Sequence, residues 1–134
     1  MARTTNDGGT MLHGDITGKI LEGCFEVIRE LGAGFLESVY EKALLVALRG
    51  KGLEVQAQVP MTVQFRGVTV GEFFADILVE NKVIVEIKAH KALLPEHQAQ
   101  LINYLKATGI EVGLLINFGQ PKLEFKRLYR IPSR

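Results

Sequence analysis

The stretch ADILVENKVIVEIKA, Ala75 to Ala89, constrains the fold more than any other part of the chain. Phe73 to Val79 and Val83 to Lys88 are rich in β-branched and aromatic residues, and the polar tip Glu80-Asn81-Lys82 joins them. That pattern predicts a β-hairpin. Strand side chains alternate faces, so Ile84, Glu86 and Lys88 share one face while Val83, Val85 and Ile87 share the other. Two charges on one face of so apolar a strand are unusual, because a buried charge is costly unless it is paired or bound to metal. Asp76, between Ala75 and Ile77 on the preceding strand, is a third such charge. If Val79 pairs with Val83, the register sets Asp76 opposite Glu86, with Cβ atoms about 5 Å apart. A slip of one residue would set Ile87 there instead, so the register is a sharp expectation.

The rest of the chain predicts what this hairpin packs into. Ile16, Ile20, Cys24, Val27, Ile28 and Leu31 recur at spacings of three and four, which predicts a helix ended by Gly32-Ala33-Gly34. A second helix is expected from about Leu36 to Arg49, with Leu36, Tyr40, Ala43, Leu44 and Ala47 inward. Val55 to Phe65 reads as extended, and Pro60 within it suits an edge strand. Arg66-Gly67 is a turn candidate. Pro95 opens a third helix that Gly109 closes. Val112 to Phe118 and Leu123 to Tyr129 follow as strands, the first apolar enough for the middle of a sheet. The order α-α-β-β-β-α-β-β gives an α/β fold, a mixed β-sheet flanked by α-helices.

At 134 residues, 47% of them hydrophobic, the chain has the size and apolar content of one domain with one core. We expect residues 1–12 to be a disordered lead-in and 13–134 to be the domain. The single cysteine, Cys24, falls in an apolar helical pattern and reads as a small core residue. No zinc-type Cys/His spacing, phosphate-cradling glycine loop or hydrolase elbow is present. No apolar run approaches the roughly 20 residues of a membrane span, so a cytoplasmic location without membrane attachment is the default expectation. The net charge of +1 gives no global attraction for nucleic acid, and any phosphate binding must rest on a local patch or a metal.

Two opposed carboxylates repel unless something positive lies between them. A hard cation, Mg²⁺ or Mn²⁺, would satisfy both Asp76 and Glu86, lower the pKa of a bound water and polarise a phosphoryl group. Lys88 could then orient that water or neutralise developing charge. The plain alternative is a solvated strand face carrying a surface Asp–Lys or Glu–Lys pair. Each residue alone favours that alternative; the three together on adjacent apolar strands favour a site.

Asp76 followed by Glu86-Ile87-Lys88 resembles the D…(E/Q)xK signature of the PD-(D/E)XK nuclease superfamily, with Ala75 where a proline often precedes the aspartate. GFLESVY, Gly34 to Tyr40, is similar to the GxxExxY signature of one bacterial family within it, and QLINYLKATGIEVGLLINFG, Gln100 to Gly119, resembles that family's C-terminal half. The resemblance runs from about Ile16 to Arg127 and implies a restriction-endonuclease-like fold. It also implies a metal-dependent phosphodiesterase acting on nucleic acid, DNA or RNA. Asp76, Glu86 and the backbone carbonyl of Ile87 would be metal ligands, and Glu37 would join the metal or its surroundings. Glu37 could equally serve as an acidic residue at a helix N-terminus. Gln100 and Tyr104, with His97 a turn earlier on the same helix face, would line the pocket or contact substrate. The alternative for these three is a rim that anchors the helix to the sheet, which for His97 is the better reading because Mg²⁺ prefers oxygen.

Lys91, Lys106, Lys122, Lys126, Arg127 and Arg130 could face phosphates, although ordinary solvated charge accounts for each alone. The main rival is a non-catalytic module that keeps the fold to bind nucleic acid or a protein. A purely structural or dimerising protein would instead pair these charges with one another. A domain this small would gain footprint as a homodimer.

Overall fold

The computed structural model describes residues 11–132. Residues 1–10 of the expected 1–12 lead-in lie outside them, and its last two, Met11 and Leu12, lead into the first helix through a turn closed by the Gly14 N–H on the Met11 carbonyl at 2.9 Å. The elements run α1 (Gly14–Leu31), α2 (Glu37–Gly50), β1 (Val55–Phe65), β2 (Val68–Val79), β3 (Val83–Lys88), α3 (Pro95–Thr108), β4 (Val112–Asn117) and β5 (Glu124–Tyr129). That is the order read from the pattern. Among the described residues no helix is long and apolar enough to cross a membrane.

One five-stranded sheet in the order β1-β2-β3-β4-β5 separates two helical layers. All neighbours are antiparallel except β3 and β4, which run parallel and are linked through α3. On one face Val83, Val85 and Ile87 of β3 and Val112, Leu114 and Ile116 of β4 pack against Ile20, Cys24, Val27 and Ile28 of α1 and Tyr40, Leu44, Leu45 and Leu48 of α2. On the other, Ile84 and Leu115 meet Leu101 and Leu105 of α3. β3 and β4 are covered on both faces, which is why they are nearly continuous apolar runs. Burial pushes the Cys24 thiol pKa far up, as befits a core residue.

The α2 stripe is rotated from expectation. Leu45 and Leu48 are buried, and Leu36, which precedes the first helical turn, is 78% exposed. β2 begins at Val68, five residues before the expected start, because Arg66 and Gly67 both take positive φ (51° and 79°) and close a tight two-residue turn. β1 and β2 therefore form a long hairpin, while β3 pairs with β2 only over Ile77–Val79. Residues 59–75 extend beyond the β2–β3 pairing as an arm, with Phe73 stacked on Tyr104 of α3 at 3.7 Å between centroids. Pro60 lies on an edge strand, as its missing N–H requires.

Candidate active site

The register at the β2–β3 hairpin is Val79↔Val83, Leu78↔Ile84 and Ile77↔Val85, which brings Asp76 and Glu86 together. The backbone ladder stops there and the two carboxylates take its place. The Asp76 N–H donates to Glu86 Oε2 at 3.0 Å, and the Ile87 N–H donates to Asp76 Oδ2 at 2.8 Å. Each acid thus commits one oxygen to the opposite strand's backbone and leaves the other for a further partner.

The strands part because the outer hairpin changes face at this level. Ile77 packs in the α1/α2 core, yet Ala75, two residues earlier, packs in the α3 core. β1 does the same, with Val55 on the first side and Val59 on the second. Between them Gln58, opposite Asp76, adopts φ 50°, a left-handed conformation that a non-glycine residue keeps only where its surroundings enforce it. Its side chain bridges two carboxylates, donating from Nε2 to Glu41 Oε1 at 2.9 Å and reaching Asp76 Oδ1 at 3.4 Å.

The electrostatics follow from this crowding. Burial, then the Asp76 charge, push the Glu86 pKa up to about 8, against a weaker downward pull from the Asp76 N–H and Lys88. Burial likewise raises Asp76, although the Ile87 N–H, Gln58 and Lys88 oppose it and Glu37 adds to it. Glu41 is raised by burial and by Asp76 despite its Gln58 bond. Burial, then the Glu86 and Asp76 charges, also raise Tyr104, whose ring stacks on Phe73, three residues before Asp76 on β2. Lys88 is near enough to favour both carboxylates, yet among the described residues it makes no direct ion pair.

Glu37 is the first residue of α2, and its Oε2 accepts the Ala89 N–H at 3.2 Å and lies 3.5 Å from His90 Nε2. It reaches the strand end just past Lys88 and adds negative charge near Asp76. His97 anchors its helix, because its Nδ1 accepts the Leu94 N–H at 3.0 Å and caps the start of α3. Its ring lies 4.9 Å from that of His90, and burial followed by the Lys88 charge lower its pKa. Gln100 is exposed on the same helix face.

The basic residues divide between the two ends of the sheet, and Lys122 lies in the β4–β5 loop at the Lys88 end. Arg127 donates to Thr17 Oγ1 at 3.3 Å on the α1 side, and Arg130 lies near Glu111 at the opposite end of the sheet from Lys88. Lys91 stays at the site end, where Gln120 holds its carbonyl at 2.9 Å.

Four contributors escape the sequence reading. Glu41 sits one turn after Glu37, a spacing that could have flagged it. Gln58 has no such signal, because its role depends on a kink. His90 joins Glu37 and His97. Asn117, fully buried, fixes the loop after β3: its Oδ1 accepts the His90 N–H at 2.9 Å and its Nδ2 donates to the His90 carbonyl at 3.0 Å.

This donor set fits a hard cation, since buried Glu86 and half-buried Asp76 both have raised pKa values and neither forms an ion pair among the described residues. Glu86 keeps Oε1 free, and only the long Gln58 bond engages Asp76 Oδ1. Among the described residues no three His, Cys, Asp or Glu side chains gather as a preformed metal cage, so any further ligands must come from backbone, solvent or substrate.

No curated protein matches the chain. Among solved structures, the crystal structure of SSO0001 shares its fold with a TM-score of 0.57 at 19% identity, over 72% of this chain and 50% of that one. The chain spans about half the length of that relative. The restriction-endonuclease-like α/β architecture is thus present as one five-stranded mixed sheet with three helices. A family model described as the PD-(D/E)XK nuclease superfamily matches residues 14–128, a span that holds Asp76, Glu86 and Lys88, and the chain belongs to that superfamily.

Proposed function

We propose that this protein is a metal-dependent phosphodiesterase acting on nucleic acid and a member of the GxxExxY group, a reading that the resemblance of GFLESVY supports. The observation that carries the reading is the Asp76–Glu86 pair, opposed where the ladder opens with Glu86 buried and Asp76 half-buried, and with Lys88 nearby in no ion pair among the described residues. Asp76 and Glu86, with the Ile87 carbonyl, would hold Mg²⁺ or Mn²⁺, and Glu37 would complete the surroundings. Such a cation supplies charge stabilisation at a phosphoryl group and a more acidic water.

The chain's own residues do the rest. Lys88 offers a donor and a positive charge at the rim, where it can orient a water or neutralise charge on a phosphate oxygen. Reciprocal backbone hydrogen bonds fix both carboxylates before substrate arrives, so little reorganisation remains for the reaction. Gln58 holds Glu41 and Asp76 in one arrangement. The Tyr104 hydroxyl and the exposed Gln100 amide stand where a substrate backbone would pass, and His97 sets the start of their helix.

Titration calorimetry of Mn²⁺ into wild type and Asp76→Asn, followed by incubation of both with labelled DNA and RNA, tests the reading. Binding and cleavage are expected in wild type and lost in the variant. A folded wild type that binds no Mn²⁺ would overturn it.

A second reading, a non-catalytic module that binds nucleic acid or protein, is favoured by the net charge of +1 and by the position of Arg127 and Arg130 away from the acids. It predicts binding to an oligonucleotide that is indifferent to both Mn²⁺ and Asp76.

A further inference from the structure

The two edges of the sheet are built differently. β5 is six residues long and carries Glu124, Lys126 and Arg127. Charges of that kind are how proteins keep an open edge from pairing with another chain. β1 is eleven residues long, largely exposed, and carries no charged residue. Its first half has other protection, since Gln58 kinks the strand and Pro60 offers no N–H. The stretch 61–65 has neither. The β-bulge at this level puts its extra residue, Val70, in the inner strand β2, so the edge strand itself stays regular there.

The same arm exposes apolar side chains next to that open edge. Val63 is 38% exposed, Phe65 58%, Val68 62% and Val70 61%. Phe65 and Val68 are a cross-strand pair, and the Arg66 guanidinium lies 4.9 Å over the Phe65 ring at the tip. Between Val59 and Ala75 the only charges are Arg66 and Glu72, so the arm as a whole is neutral. Such a surface offers phosphates no local attraction.

We propose that β1 is the pairing edge of a homodimer, in which residues 61–65 of two copies align antiparallel about a twofold axis and join the two sheets into one. An occupant of this edge must bring an open strand edge of its own and an uncharged, apolar neighbourhood. A second copy of this chain supplies both, and an antiparallel strand pair is self-complementary, as a twofold interface requires. Val63, Phe65, Val68 and Val70 would pack across the junction. The β5 edge, guarded by its charges, would stay free. The assembly is independent of whether the carboxylate site cleaves anything.

Sedimentation velocity on the full chain from about 1 to 200 µM tests this, with wild type compared to Val63→Lys/Phe65→Glu and to a Lys126→Ala control. Both substituted arm positions are exposed, and circular dichroism confirms that each variant is folded. Wild type and the control are expected to approach twice the 14.8 kDa mass of one chain as concentration rises, and the arm variant to remain at that mass. Faster amide exchange at 61–65 in the arm variant than in wild type would place the loss at the strand edge. A wild type that stays monomeric throughout, or an arm variant that dimerises like wild type, overturns the proposal. Should wild type be monomeric and the arm variant alone lose affinity for a 20-base-pair DNA duplex, the arm serves nucleic acid and the homodimer is wrong.

Discussion

Glu86 is 7% exposed and faces a second carboxylate, so its protonated form is favoured by folding. The sign of the consequence is definite. With a folded pKa of about 8 against the ordinary 4.5, this group's stabilising contribution is complete below pH 4.5 and is lost as pH rises to 8. The raised Asp76 acts in the same direction. Without divalent metal, the melting temperature should therefore fall between pH 5 and 8 by on the order of 10 °C. Glu86→Gln should flatten most of that slope, as calorimetry across the pH range would show. A wild-type melting temperature that rises with pH would contradict the burial of this acid.

Gly119 is a second case decided at single-residue scale. A Cβ there would run into the backbone of His90, which cannot move aside as a side-chain tip could. The Gly119 N–H also joins His90 in donating to Asn117 Oδ1, at 3.0 Å. Gly119→Ala should cost about 2–4 kcal/mol in urea unfolding and displace the segment after Lys88.

At the scale of elements, the outer hairpin and α3 frame the site from two sides. Tyr104 joins them through its stack on Phe73, with planes 5° apart, and its ring is only partly buried. Tyr104→Ala should cost about 1–3 kcal/mol, whereas Tyr104→Phe should stay within about 0.5 kcal/mol of wild type. If the hydroxyl meets substrate, Phe will lower cleavage while the melting temperature holds, and only Ala will lower both.

Most elements were legible because their signals are local. Pro95 and Gly109 bracket α3, and the 73–88 hairpin follows from its alternation and polar tip. Arg66-Gly67 was legible as a turn, but the early start of β2 was missed because Thr69, Gly71 and Glu72 dilute the strand pattern between Val68 and Phe73. Leu36 was misplaced for a different reason, since periodicity locates a stripe but not the turn at which it ends.

At the scale of the molecule, the two helical layers and the central β3 and β4 bury the inner strands, and the acids lie where β2 leaves that core. A cation there would bind the folded state and not the unfolded chain. Mn²⁺ at a hundred times its dissociation constant should then stabilise wild type by about 2.7 kcal/mol, read as a melting shift that a chelator reverses and Asp76→Asn abolishes. A shift equal in the variant would place the metal elsewhere.

By itself the sequence determined the element order, the pairing of Asp76 with Glu86 and the common face of Glu86 and Lys88, because strand alternation and hairpin register are local and nearly digital. The tertiary structure decided everything that depends on elements far apart in the chain. It brought Glu41 and Gln58 to the acids, tied Glu37 to the end of β3, sent Arg127 and Arg130 away from the site, and let Asn117 hold His90. These follow from where helices dock and where strands kink, and such geometry is fixed by packing across the sheet, with no periodicity along the chain to record it.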